Sequence, residues 1–357
     1  MTSRGRVEAA LRHRQPDRTP FFEYVLLSPI ADRAVGRPYA DYAGDSDRWE
    51  RRVAAMGWEK AVRSYVRDRL DLAQALEHDL MYVCPNPSST PAAPEPEPPT
   101  ADPVERVLWF AERRVRETPG PKEENLLVYQ LLRREMERRG IDLPVLAPAY
   151  AHGIWTNTDL MQAMLLDPEA AEAHFAQATR SAMAYIEAYL TLGITQIGVG
   201  GDFAGNRPLI SPGLYRRFIV PEVRRCARRI HAAGAWAVNA SDGDLWSVID
   251  DFLLGCEVDG YLEIEMRAGM DLGRLRARFG DRITFYGNMD CGSVLSFSST
   301  DEVRAITRQT LEAGAEGGGH IFCTSNAITG SVRWDNYLAM VDEYRRFSGL
   351  GALSLPD

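Results

Sequence analysis

Carboxylates recur along this chain at short turns rich in glycine. Asp202 stands in Gly200-Gly201-Asp202-Phe203 and Asp242 in Ser241-Asp242-Gly243-Asp244. Glu263 and Glu265 lie two residues apart, and Asp290 closes Gly287-Asn288-Met289-Asp290. Acids gathered around one opening repel each other, and burial raises their pKa further. Such groups suit general acid/base work or a bound cation. Asp244 precedes Leu245-Trp246 and is placed to cap a helix, which leaves Asp242 free for chemistry. Gly243 allows the turn between them to be tight. Asp242, Asp202, Glu265 and Asp290 are therefore the expected catalytic acids. Glu23, Tyr24, Tyr150, His152, Asn239, Asn288, His320 and Asn326 fall at or near the ends of apolar runs, His320 inside one and facing either way, and are the expected substrate-binding residues. No metal ligand set and no cofactor is expected. Cys291 reads as a small buried residue, and neither a CxxC pair, a GxSxG elbow nor a phosphate-binding loop is present.

These residues need a scaffold that brings many turns to one end. Apolar runs at 19–26, 79–84, 144–150, 194–200, 234–240, 257–264, 282–288 and 318–323 read as eight strands. Amphipathic stretches at 158–192, 212–232, 300–314 and 334–347 separate them and read as helices, as does 4–13 at the start. Strands alternating with helices imply parallel pairing, and eight such units most simply close a (β/α)8 TIM barrel, whose chemistry sits at the strand C-terminal ends. An open doubly wound sheet would show a GxGxxG turn, which is absent. Residues 1–350 read as one barrel and 351–357 as a tail. Residues 27–78 add extra N-terminal helices, and the Pro-rich stretch 85–101 reads as a surface loop after the second strand, either a tolerated insertion or a lid.

The formal net charge is -9, which disfavours nucleic acid as a partner. Clustered arginines such as Arg133, Arg134, Arg138 and Arg139 alternate with Glu135 and Glu137, the pattern of a solvated helix face. The five cysteines are scattered and odd in number, which points to reduced thiols and a cytoplasmic setting. No secretory leader or membrane-length apolar run is visible, so the expected partner is a small-molecule substrate.

Longer motifs carry a family resemblance. Arg4-Gly5-Arg6-Val7-Glu8-Ala9-Ala10-Leu11 with Pro16-Asp17-Arg18-Thr19-Pro20 opens the chain. Leu209-Ile210-Ser211-Pro212-Gly213-Leu214-Tyr215, Ser241-Asp242-Gly243-Asp244, Ala268-Gly269-Met270-Asp271, Gly287-Asn288-Met289-Asp290 and Gly317-Gly318-Gly319 follow in order. As a set they resemble the uroporphyrinogen decarboxylase superfamily, which also contains corrinoid-linked zinc methyltransferases. The resemblance implies a (β/α)8 barrel and a homodimer. It also implies two known activities, and this chain departs from both. The decarboxylases place arginines after the first strand to hold substrate carboxylates; here Phe21-Phe22-Glu23-Tyr24-Val25-Leu26-Leu27 has none. Where they carry a histidine in the eighth-strand loop, this chain has Asn326. The methyltransferases bind zinc through His-x-Cys and a later Cys; the matching positions here are Ala240, Asp242 and Asn326. The expected activity is therefore a decarboxylase-type lyase working by carboxylate acid/base chemistry on a small organic substrate other than uroporphyrinogen. A corrinoid-dependent methyltransferase or demethylase, with a corrinoid partner, is the alternative, and a non-catalytic binding subunit the third reading.

Overall fold

A computed structural model describes residues 1–90, 94–115 and 120–355. The strands are β1 (Met81–Tyr82), β2 (Val145–Pro148), β3 (Gln196–Gly200), β4 (Trp236–Ala240), β5 (Gly260–Leu262), β6 (Thr284–Tyr286) and β7 (His320–Ile321). They form one sheet in chain order, with parallel pairing of β1 with β2, β3 with β4 and β6 with β7. Each falls inside one of the expected apolar runs, from the second to the eighth. Helices alternate with them, so the fold is α/β. By contact density the chain divides into two compact units. One is Met1–Ser89, Glu123–Leu146 and Leu262–Asp357; the other is Thr90–Lys122 and Ala147–Tyr261.

In the first unit the expected first strand, 19–26, departs from regular geometry. Phe322 donates its N–H to the Pro20 carbonyl (2.8 Å) and Ile328 to that of Val25 (2.8 Å), while Asp79 donates to Phe21 (2.7 Å). The segment thus lies between β7 and the residue ahead of β1, but it makes only two isolated bridges, Phe21 with Phe322 and Leu26 with Ile328. Pro20 has no N–H to offer. The Glu23 carbonyl is turned toward Arg69 Nη2 (3.4 Å), so the ladder breaks between the two bridges. The extra N-terminal helices are Ile30–Val35, Ser46–Met56 and Trp58–Ala75. Described residues of the Pro-rich stretch, 85–90 and 94–101, carry no helix or strand; 91–93 lie outside the described residues.

In the second unit the run 158–192 divides into Thr158–Leu166 and Pro168–Thr191. The cause is Asp167-Pro168. Proline disfavours a helical residue before it yet suits the first helical position. Asp167 then caps the new helix, accepting from the N–H groups of Glu169 and Ala170 at 3.1 Å each. Among the described residues no helix is long and apolar enough to cross a membrane.

One buried charge anchors the first unit. Asp79, 0% exposed, accepts from Arg6 Nη1 (2.6 Å), Arg18 Nη1 (2.6 Å), Ser3 Oγ (2.9 Å) and the Phe21 N–H (3.0 Å). Arg18 also reaches the Tyr344 hydroxyl, so the knot joins the N-terminal helix, segment 18–21, the start of β1 and the C-terminal helix Trp334–Phe347. Removing one member of a buried ion cluster leaves the rest uncompensated, at a cost of about 3–5 kcal/mol. Asp79→Ala is expected to lower unfolding free energy by that amount in urea denaturation; a loss below about 1 kcal/mol, the scale of an exposed pair, would contradict it.

Candidate active site

Two of the expected acids meet in the second unit. Strand β3 ends in Gly200, with φ +81, and the chain turns at once to present Asp202. A Cβ on Gly200 would sit 1.9 Å from Asn239 Oδ1, so glycine is required by both backbone and space. Asp202 Oδ1 accepts the Asp242 backbone N–H at 3.1 Å. The Ser241 hydroxyl lies beside it and also reaches the Asp242 carbonyl (3.1 Å). Burial raises the Asp202 pKa above the usual aspartate range, against the lowering effect of those two hydrogen bonds. Asp242 is half-buried. Gly243, at φ +92, lets the turn press on the 203–210 loop: a Cβ there would meet the Gly205 carbonyl oxygen at 2.1 Å. Asp244 Oδ1 caps the next turn by accepting from Trp246 N–H (2.9 Å).

The other candidates of this unit serve packing. His152 is fully buried and faces helix Pro168–Thr191, where Nε2 meets Thr179 Oγ1 at 2.8 Å. Thr179 passes the bond on to Glu222 (2.6 Å). Burial lowers the His152 pKa to about 3, so the ring is neutral. Asn239 is buried, donating to the Phe252 carbonyl (3.1 Å) and accepting from Ala240 N–H (3.0 Å). The Tyr150 ring covers Gly198, where a Cβ would approach it to 2.5 Å.

The first unit holds a different arrangement. Glu23 is 0% exposed; its Oε2 accepts from Thr324 Oγ1 (2.7 Å) and, more loosely, Thr324 N–H (3.4 Å), and Oε1 has no partner among the described residues. Burial raises its pKa to about 7, opposed by the Thr324 hydrogen bonds, Tyr337 and the charge of Arg69. Cys323 nearby is pushed up by burial first and then by the charges of Glu23, Cys291 and Glu263. Glu263 holds φ +70, a left-handed backbone that is uncommon for glutamate and clusters at functional sites. Asn326 is half-buried: its Oδ1 accepts from Ala327 N–H (2.6 Å) and its carbonyl from Thr324 Oγ1 (2.9 Å). Tyr24 packs edge-on against Tyr82 with ring centres 4.4 Å apart.

Asp290 is occupied by its own turn, accepting from Gly292 N–H (2.8 Å), Ser293 N–H (3.0 Å) and the Ser293 hydroxyl. Glu265 is half-buried, and its carbonyl starts the turn Met266–Ala268 by accepting from Ala268 N–H (3.2 Å). Asn288 is buried and donates to the Met270 carbonyl (3.0 Å). His320 faces the helix layer: Nε2 meets the Gly287 carbonyl at 2.6 Å, and a Cβ on Gly314 would lie 1.8 Å from Nδ1. Its pKa is lowered by burial to about 4. Cys291 is buried, with its pKa raised by burial to about 11.

Arg69 is the feature that reading the sequence left out. It is buried on helix Trp58–Ala75, and Nη2 reaches the carbonyls of Glu23 (3.4 Å) and Tyr82 (3.2 Å). The helical pattern held the signal: Val62, Tyr65, Arg69 and Leu72 share one face and all are buried.

A family model described as uroporphyrinogen decarboxylase (URO-D) matches residues 144–347, more than half of the chain. The chain belongs to the uroporphyrinogen decarboxylase family. Its relatives include a uroporphyrinogen decarboxylase of Methylibium petroleiphilum, 28% identical over 46% of this chain and 44% of that protein. One from Coxiella burnetii (strain Dugway 5J108-111) is 24% identical over 70% of this chain and 71% of that protein. The match to the first of these, like that to the Methylococcus capsulatus enzyme, spans about half of the relative's length. Among solved structures, a methyltransferase from Methanosarcina mazei shares the fold, with a TM-score of 0.67, 16% identity and coverage of 97% of this chain and 99% of that one. In this URO-D family chain, residues Asp202, Ser241 and Asp242 all lie inside the matched span, whereas Glu23 and Arg69 lie ahead of it.

The raised pKa of Glu23 has a defined effect on stability. Its folded value, about 7, lies above the ordinary glutamate value of 4.5, so the fold favours the protonated form. The stability it contributes is full below pH 4.5 and is lost as the pH rises to about 7. Glu23→Gln cannot ionise. Its stability relative to wild type should therefore rise by up to about 3 kcal/mol between about pH 4 and about pH 8. Urea denaturation at both pH values checks this; a pH-independent difference would contradict it.

Proposed function

We propose that this URO-D family member is a decarboxylase-type lyase that uses carboxylate acid/base chemistry on a small organic acid other than uroporphyrinogen. The observation that carries the reading is Asp202. Its carboxyl is partly buried, favours its proton more than an ordinary aspartate, and is fixed by Asp242 N–H and Ser241. In such a reaction the bond between a carboxylate and its carbon breaks, and carbon dioxide leaves. The electron pair left on carbon then takes the proton of Asp202, which water restores. Proton transfer by a positioned group contributes about 10²–10⁴-fold. Asp242 is the second acid of the pair. Its backbone orients Asp202, and its own carboxylate is the candidate group for binding or proton exchange.

Uroporphyrinogen is disfavoured because an octacarboxylate needs cations to meet it. The stretch 21–27 has no arginine, and Arg69, which approaches it, is buried. The fold is taken as a (β/α)8 barrel in which 20–27 replaces the first strand; its bonds to Phe322 and Asp79 support this. A homodimer follows from the family resemblance, and a cytoplasmic setting from the scattered cysteines.

The fold neighbour keeps methyl transfer as a second reading. Zinc of the methyltransferase kind fits poorly. Ala240 offers no donor atom, and the Asn326 side-chain oxygen already accepts Ala327 N–H at 2.6 Å.

Purified protein should yield no coproporphyrinogen from uroporphyrinogen. Across a panel of small carboxylic acids it should release carbon dioxide from at least one, and Asp202→Asn and Asp242→Asn should each slow that release by about 10²-fold or more. Coproporphyrinogen formation at an ordinary enzymatic rate, or methyl transfer from a methylated corrinoid without carbon dioxide release, would contradict the reading.

A further inference from the structure

A cavity lies in the first unit. It has a volume of about 320 Å³ and opens between the start of helix Leu272–Phe279 and the helix Thr300–Gly314. Met266, Met270, Leu272, Ile306 and Ala313 give it an apolar wall. Its polar members are Asp271, Asn288, Gln309 and Thr310.

Two of the polar members are buried, and Asp271 and Gln309 are exposed. Asn288 is 2% exposed, and its amide is oriented by donating Nδ2 to the Met270 carbonyl (3.0 Å). That bond fixes which end of the amide is spent: among the described residues Oδ1 accepts no hydrogen bond. Thr310 is 4% exposed, and its hydroxyl likewise has no partner among the described residues. Neither atom has a protein partner among the described residues and neither is sealed from solvent, so both are open to a ligand's polar groups where their residues line the cavity. Asp271 supplies charge. One of its oxygens caps helix Leu272–Phe279 by accepting Arg274 N–H (2.6 Å). No cationic side chain lines the cavity and none pairs with Asp271 among the described residues, so a carboxylate oxygen remains for a donor.

We propose that this cavity is a binding site for a small ligand with an ammonium or similar N–H donor group on a short apolar body. The ammonium meets Asp271 and the Asn288 carbonyl oxygen, and the apolar part lies against Met266, Leu272 and Ile306. The volume falls at the lower end of the range of small-molecule sites, and the mixture of apolar wall with a few convergent polar groups is typical of them. An anion would face the carboxylate with nothing to offset it. The proposal does not depend on the reaction assigned above.

Saturation-transfer NMR on the full-length protein tests it with three matched probes: n-hexylammonium, 1-hexanol and hexanoate. The amine is expected to bind best and the carboxylate least. Asp271→Asn keeps a good helix cap while removing the charge. It should weaken the amine about fivefold, the scale of a solvent-exposed ion pair, and leave the alcohol unchanged. Ala313→Phe, on an exposed helix position, fills the cavity and should abolish both signals; Gln309→Phe serves the same purpose if that variant does not fold. Absence of saturation for all three probes, preference for hexanol or hexanoate, or signals that persist in the filled variant would each overturn the proposal.

Discussion

The first unit depends on one buried carboxylate. Asp79 gathers two guanidinium groups, a hydroxyl and a backbone N–H from segments far apart in sequence. A charge with no exposed surface is costly unless such partners surround it. Meeting that cost fixes the path of residues 18–21, and the path fixes where the next residues fall. Phe21 then bridges to Phe322, Leu26 to Ile328, and Glu23 is delivered to Thr324. The position of a candidate functional acid is thus set by an ion cluster at the other end of the same short segment.

The second unit reaches its geometry by leaving side chains out. Gly198 makes room for the Tyr150 ring, Gly200 for the Asn239 amide and Gly243 for the Gly205 carbonyl. With those positions empty, the loops after β3 and β4 come close enough for Asp242 N–H to hold Asp202. The two histidines near strand ends lie outside this chemistry. Each is buried and neutral, His152 against Thr179 and His320 against the Gly287 carbonyl, and each ties strand-end backbone or helix to sheet. Their value is structural, His152 in the second unit and His320 in the first.

Much of this was legible from the residues. Seven strands and most helices follow apolar periodicity, while Asp244, expected to cap a helix, caps a turn through Trp246 N–H. The first strand was not legible as irregular, because its break comes from Arg69, 46 residues away, turning the Glu23 carbonyl aside. The division at Asp167-Pro168 was available from the proline and its capping neighbour. Side-chain direction was the harder matter. At a strand end a shift of one residue exchanges the two faces, so sequence alone placed His320 and Asn239 at a mouth when they point into packed layers. Asp290 shows the same limit for turns: an acid after a strand serves a cap as readily as a substrate, and here its oxygens take Gly292 and Ser293.

Proton donation by Asp202 requires that it hold its proton more tightly than an ordinary aspartate. Infrared titration in deuterated water reads this directly, as the protonated-carboxyl stretching band present in wild type and missing from Asp202→Asn. The predicted result is a difference band whose midpoint lies above the ordinary aspartate value of 3.8. A midpoint at or below 3.8, or no band that disappears with Asp202, would contradict the assignment of Asp202 as the proton donor.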